Sequence, residues 1–142
     1  MMKVWALLLL ALTISAHAPA APKMPSIKEF NCLVKNIYYE ARGESAAGKK
    51  AVGIVTMNRV RHDNYPKTIC KVVYQRKQFS WTNKPMKKHE INKVEWQQSI
   101  NAATAAYNSK KNFPATHYHN LTVSPAWGLK KLIKIGNHIF YV

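Results

Sequence analysis

Apolar residues recur at positions 27, 30, 33, 34, 37, 38 and 41, a spacing that gathers them on one face of a helix. Ser26-x-x-Glu29 has the form of a capping box at its start. Gly43 supplies a stop, so a helix is predicted over 27–42. A second helix should begin at Ser45 as N-cap and run to about Arg61, with Ala47, Ala51, Val52, Ile54, Val55 and Val60 as apolar positions. Gly48 and Gly53 weaken its intrinsic propensity and imply close packing against a neighbour. Asn64-Tyr65-Pro66 reads as a turn, 68–74 as a short helix and 75–92 as irregular chain. A third long helix is predicted over 93–108, with Trp96, Ile100, Ala103 and Tyr107 facing inward. After Pro114 the pattern shifts to short β-like runs over 116–123 and 134–142, with Gly136-Asn137 able to turn or bulge in the second. Helices followed by a small C-terminal β-hairpin predict a mainly helical α+β domain.

The start of the chain follows a different logic. Met1-Met2-Lys3 is a short basic opening, and Val4 to Leu12 is an unbroken apolar run. Small residues around Ala18-Pro19-Ala20 then offer a cleavage pattern. Residues 1–20 therefore read as a secretory signal peptide, too short to span a bilayer. No stable membrane span is expected once it is removed. Residues 21–29 read as a linker and the start of the first helix, and 30–142 as a single domain.

Charge changes the picture next. Lys and Arg number 22 against 6 acidic residues, a formal net charge of +16. Such a chain seeks an anionic partner: nucleic acid, an acidic membrane surface or an acidic envelope polymer. Export disfavours nucleic acid and favours the envelope polymer. It also makes Cys32 and Cys70, the only two cysteines, candidates for one disulfide in an oxidising compartment. On the loop-entropy model such a bridge would stabilise the fold by roughly 3–4 kcal/mol. The alternative is a pair of separate buried thiols.

In so acid-poor a chain, two carboxylates four residues apart stand out in Tyr38-Tyr39-Glu40-Ala41-Arg42-Gly43-Glu44. Glu40 falls in the last turn of the first helix, where the negative end of the helix dipole disfavours a carboxylate. Aromatic neighbours would raise its pKa further by desolvation. A carboxyl kept protonated near neutral pH suits general acid catalysis at a glycosidic oxygen. Glu44 sits beside the start of the second helix, where the dipole favours the anion, with Arg42 near. It is either a supporting group, together with Tyr39, or a structural carboxylate.

This phrase resembles the signature of the SleB-type cell-wall hydrolase family. The resemblance continues through Met57-Asn58-Arg59-Val60, Ile69-Cys70-Lys71-Val72-Val73-Tyr74-Gln75 and Gln78-Phe79-Ser80-Trp81. It closes with Ala115-Thr116-His117-Tyr118-His119, Pro125-x-Trp127 and Ile135-Gly136-Asn137-His138-Ile139-Phe140-Tyr141. The resemblance implies a lysozyme-like, resuscitation-factor-like catalytic domain that cuts peptidoglycan between N-acetylmuramic acid and N-acetylglucosamine. It maps the acid/base onto Glu40 and implies a lytic transglycosylase or muramidase-type glycosidase. It calls for no metal and no cofactor. The expected partners are peptidoglycan and acidic envelope polymers, with no nucleic acid, for a monomer that acts in the periplasm or outside the cell, or is delivered there by a phage. The segment from Lys84 to Lys93 is more basic than the family leads one to expect, and a basic loop there reads as solvated surface.

The remaining candidates are substrate contacts. Gln78, Ser80, Trp81, Tyr118 and Tyr141 offer the aromatic faces and amides that sugars use, and His117 is read with them as cleft lining. His117 and His119 would share one strand face, with His138 on a partner strand, a set that zinc would accept. Cleft lining or core hydrogen bonding is the reading preferred to metal. Asn58 and Arg59 lie in the second helix, where Arg59 is expected to pair with Glu44. A non-catalytic basic module that adheres to the envelope is the rival function, and carboxylates in its groove would bring an anion binder nothing.

Overall fold

The computed structural model describes residues 24–84, 90–109 and 112–142. The expected signal peptide and residues 85–89 of the basic segment lie outside them. Four helices come first: α1 (Ile27–Ala41), α2 (Ala46–Arg61), α3 (Ile69–Val73) and α4 (Lys93–Tyr107). Three strands follow: β1 (His117–Asn120), β2 (Lys131–Ile135) and β3 (His138–Tyr141). A 3-10 turn, Ser80–Asn83, breaks the stretch expected to be irregular.

The predicted caps are in place. Ser26 Oγ accepts from Glu29 N at the head of α1, and Ser45 Oγ accepts from Gly48 N at the head of α2. Each satisfies a helix N–H that has no partner within the helix. Gly43 makes the reversal between them with φ +83, a backbone conformation that L side chains resist.

Helix α2 is the centre of the molecule. Ala51, Val52, Gly53, Ile54, Val55, Thr56 and Met57 are all buried, so it has neighbours on every side. α1, α3 and α4 pack on it, as do β1 and β2. A Cβ at Gly53 would stand 2.8 Å from both Ala106 and Ile37, so only glycine lets α1 and α4 approach this closely. Leu33, Val34, Ile37, Val52, Val55, Val73, Ala103 and Phe140 are the heart of the core. The inward face of α4 differs from expectation: its buried residues are Ser99, Ala102, Ala103 and Ala106. Trp96, Ile100 and Tyr107 flank that face, partly buried against the core. Small side chains permit the close crossing, and the large ones seal its edges.

The sheet is larger than the predicted hairpin. β1 and β3 lie in the two predicted runs and pair antiparallel, but the second run turns at Gly136-Asn137, and a further strand, β2, joins the other edge of β3 through that turn, giving the order β1-β3-β2, antiparallel throughout. Cys32 on α1 and Cys70 on α3 form the expected disulfide, with Cα atoms 5.2 Å apart. Glu29 Oε2 also accepts from Cys70 N at 2.9 Å, so the same two helices are tied twice.

Candidate active site

Glu40 ends α1 on a cavity of about 490 Å³, lined also by Arg59, Lys77, Gln78, Phe79, His117, Tyr118, Trp127 and Leu129. Among the described lining residues Glu40 is the one carboxylate. The Tyr118 hydroxyl donates to Glu40 Oε2 at 3.2 Å. Burial pushes the Glu40 carboxyl above its usual pKa, opposed by the Tyr118 hydrogen bond and the Arg59 charge. Burial and the neighbouring Glu40 hold the Tyr118 phenol far above the range in which it would ionise, so it remains a donor.

Arg59 is fixed rather than free. Its Nε donates to Thr116 O at 2.7 Å and its Nη1 to Gln78 Oε1 at 2.9 Å. It faces Glu40, not Glu44 as the sequence suggested. One residue earlier, Asn58 Nδ2 donates to Phe113 O and Ala115 O. Helix α2 thus sets the position of the chain entering β1, and with it Tyr118. Asn36, one helical turn before Glu40 and fully buried, donates to Thr56 Oγ1 at 3.1 Å and accepts from Trp81 Nε1 at 3.3 Å.

Glu44 goes elsewhere. Its Oε2 accepts from Asn137 N at 3.2 Å, and its Oε1 lies 3.8 Å from His138 Nδ1. It presses on Gly136, where a Cβ would leave no room for the carboxylate. It therefore braces the β2–β3 turn. Arg42, expected beside Glu44, instead lies over the Tyr38 ring at 5.5 Å.

The predicted contacts divide between two cavities. Gln78, His117 and Tyr118 line the one that holds Glu40. Tyr39, Ser80 and Trp81 line a neighbouring cavity of about 520 Å³, with Tyr38, Arg42, Lys84, Glu90 and Ile91. There Trp81 stacks on Tyr39 with centroids 4.8 Å apart. Phe79, between Gln78 and Ser80, is buried and lines the Glu40 cavity. Tyr141 lies outside both linings and stacks on His119. Strand register sends His138 to the face of β3 shared with Tyr118 and Phe140, opposite His117 and His119. The three histidines therefore do not converge on one point. Among the described residues no group of three metal-ligating side chains comes together. Sequence reading gave no site role to Arg59, Lys77, Phe79 or Trp127. Arg59 was read only as a partner for Glu44, because its contacts with Thr116 and Gln78 come from segments distant in sequence.

Helices packed around a buried central helix, closed by a three-stranded sheet with a carboxyl in the cleft, define a lysozyme-like α+β domain. Two solved structures share this fold. The catalytic domain of the Bacillus cereus SleB protein matches with a TM-score of 0.69 at 22% identity, covering 90% of this chain and 100% of that one. The catalytic domain of the germination-specific lytic transglycosylase SleB from Bacillus anthracis matches with a TM-score of 0.69 at 24% identity, covering 86% and 100%. The chain belongs to the cell wall hydrolase family, whose model matches residues 43–141. That match begins three residues after Glu40. The spore cortex-lytic enzyme of Bacillus subtilis (strain 168) is 27% identical over 126 residues, which span 84% of this chain and 40% of that protein.

Proposed function

We propose that this cell wall hydrolase cuts the glycan strand of peptidoglycan between N-acetylmuramic acid and N-acetylglucosamine, with Glu40 as general acid and then general base. The observation that carries the reading is the isolation of Glu40: it is the one carboxylate among the described residues lining its cavity, while Glu44 is bound into a turn. Burial favours the protonated carboxyl needed to donate to the leaving oxygen. Tyr118 commits Oε2 as an acceptor, which favours the proton on Oε1 for donation. As the glycosidic bond breaks, positive charge develops at the sugar and the proton passes to the leaving hydroxyl. Glu40 is left as a carboxylate, which the Tyr118 hydroxyl and the Arg59 charge stabilise.

Two-carboxylate glycosidases use the second group as nucleophile or as base for water. With one carboxylate, the economical completion is that Glu40 recovers its proton from the sugar's own C6 hydroxyl, which closes a 1,6-anhydro ring. That is the lytic transglycosylase outcome. The cell-wall names of its relatives support the substrate class, and the disulfide supports an oxidising compartment, hence export to the envelope after loss of residues 1–20. Mass analysis of products from purified peptidoglycan tests the reading. Anhydro ends, lighter by one water than reducing ends, are expected. Reducing ends throughout would assign simple hydrolysis, and no release of glycan fragments would leave an envelope-binding module.

A further inference from the structure

Resting on that reading, we infer that Trp127, held by His117, His119 and Tyr141, is a pre-built platform for a pyranose of the same glycan strand at the rim of the Glu40 cavity. Register puts His117 and His119 of β1 and Tyr141 of β3 on one face of the sheet, with His117 directly opposite Tyr141. The Trp127 ring packs against all three, tilted by 57° to His117 at 5.6 Å and edge-to-face with His119 at 5.7 Å and Tyr141 at 5.8 Å between centroids. The support is itself braced. His119 stacks on Tyr141 and its Nε2 meets the Tyr141 hydroxyl at 2.8 Å. His117 Nδ1 lies 3.0 Å from Thr116 Oγ1.

Despite this support Trp127 remains 44% exposed. Trp127 also lines the cavity of Glu40, so its open surface is continuous with the reaction site. An exposed tryptophan with its orientation already fixed loses little freedom when a ligand covers it. Its π face carries negative charge density, and the apolar C–H face of a pyranose presents hydrogens to it. Tyr118, whose side chain leaves β1 on the other face, is the residue that reaches Glu40. The platform is thus one side-chain alternation away from the acid, suited to a sugar beyond the pair that flanks the cut bond.

The experiment uses calorimetric titration of the Glu40→Gln protein, which binds without cutting. The probes are a disaccharide and a tetrasaccharide of alternating N-acetylglucosamine and N-acetylmuramic acid. Adding Trp127→Ala should weaken tetrasaccharide binding about tenfold, as truncating a buried aromatic anchor does. Trp127→Phe, which keeps a ring, should recover most of it, and disaccharide binding should be unchanged. The platform is overturned if both proteins bind the tetrasaccharide equally, or if the disaccharide is weakened as much as the tetrasaccharide. Failure of Glu40→Gln itself to bind either sugar would instead sink the glycan reading, and the platform with it. Thermal melting confirms that each variant folds.

Discussion

Glu40 and Glu44 are four residues apart and meet opposite fates. Glu40 is half-buried on a cavity, held by one hydroxyl and faced by an arginine. Glu44 is folded against a turn glycine, with a backbone amide on one oxygen and a histidine beside the other. Spacing alone would have put them on one helical face, since residues four apart in a helix are neighbours. Helix α1 ends at Ala41, however, and Gly43 reverses the chain between them. Residues close in sequence share a site only while one element carries them both. The remaining acids show how seldom this chain leaves a carboxylate idle. Glu29 receives the Cys70 amide, and Glu95 receives the Gly43 amide and pairs at 3.0 Å with Lys49, which is 1% exposed.

The sharpest way to break the comparison is to neutralise each carboxyl in turn. Glu40→Gln should lower turnover on peptidoglycan by about a hundred- to ten-thousandfold, because the amide keeps the shape but holds no transferable proton. It should not unfold the protein. Burial raises the Glu40 pKa in the folded state, so its carboxylate weighs against folding at pH above that pKa, while its acid form below does not. The melting temperature of Glu40→Gln should therefore equal or exceed that of the parent near pH 8, and the difference should vanish in acid. A variant with near-parental turnover would remove Glu40 from the mechanism.

Opening the disulfide should reverse the pattern, with stability lost and chemistry spared. Reduction, or Cys32→Ala with Cys70→Ala, should cost roughly 2–5 kcal/mol. Denaturant titration should show it, with turnover per folded molecule little changed at low temperature. Glu44→Ala should behave in the same sense on a smaller scale. Losing the acceptor for Asn137 N, which water can replace at this exposed turn, should cost about 0.5–1.5 kcal/mol, with turnover within a few-fold of the parent. A loss as large as that of Glu40→Gln, in a protein that melts normally, would return Glu44 to the reaction.

Tyr118→Phe sharpens the contrast most finely. It removes the hydroxyl that lowers the Glu40 pKa and leaves burial, which raises it. The acid form should then persist to higher pH, moving the alkaline limb of the pH–rate profile upward. An unmoved limb with lower turnover throughout would make Tyr118 a packing residue.

The readable parts of the fold were those written in local chemistry. Ser26 and Ser45 marked two helix starts, Gly43 marked the reversal, and Gly53 announced a close crossing. The place of Glu40 at a helix end was legible for the same reason, as a carboxyl in the last turn before Gly43. What the sequence hid depends on distant partners. β2 is Lys-Leu-Ile-Lys-Ile, mostly exposed, with a register shift between Lys131 and Ile133, so it offers no clean alternation. Arg59 became a site residue only because Thr116 and Gln78, brought in by folding, fix its guanidinium. Trp127 needed three rings from two strands before its orientation had meaning.

The link between Cys32 and Cys70 encloses Glu40, Glu44 and Arg59 in one covalent ring, whose most open stretch is the exposed corner of Arg61, His62, Asp63 and Asn64. A protease that nicks this corner cannot separate the pieces. Both halves stay on one molecule, held by the bridge and by the packing of α1 and α3 on α2. After limited digestion behind Arg61, the protein should run as a single band without reductant and as two bands with it.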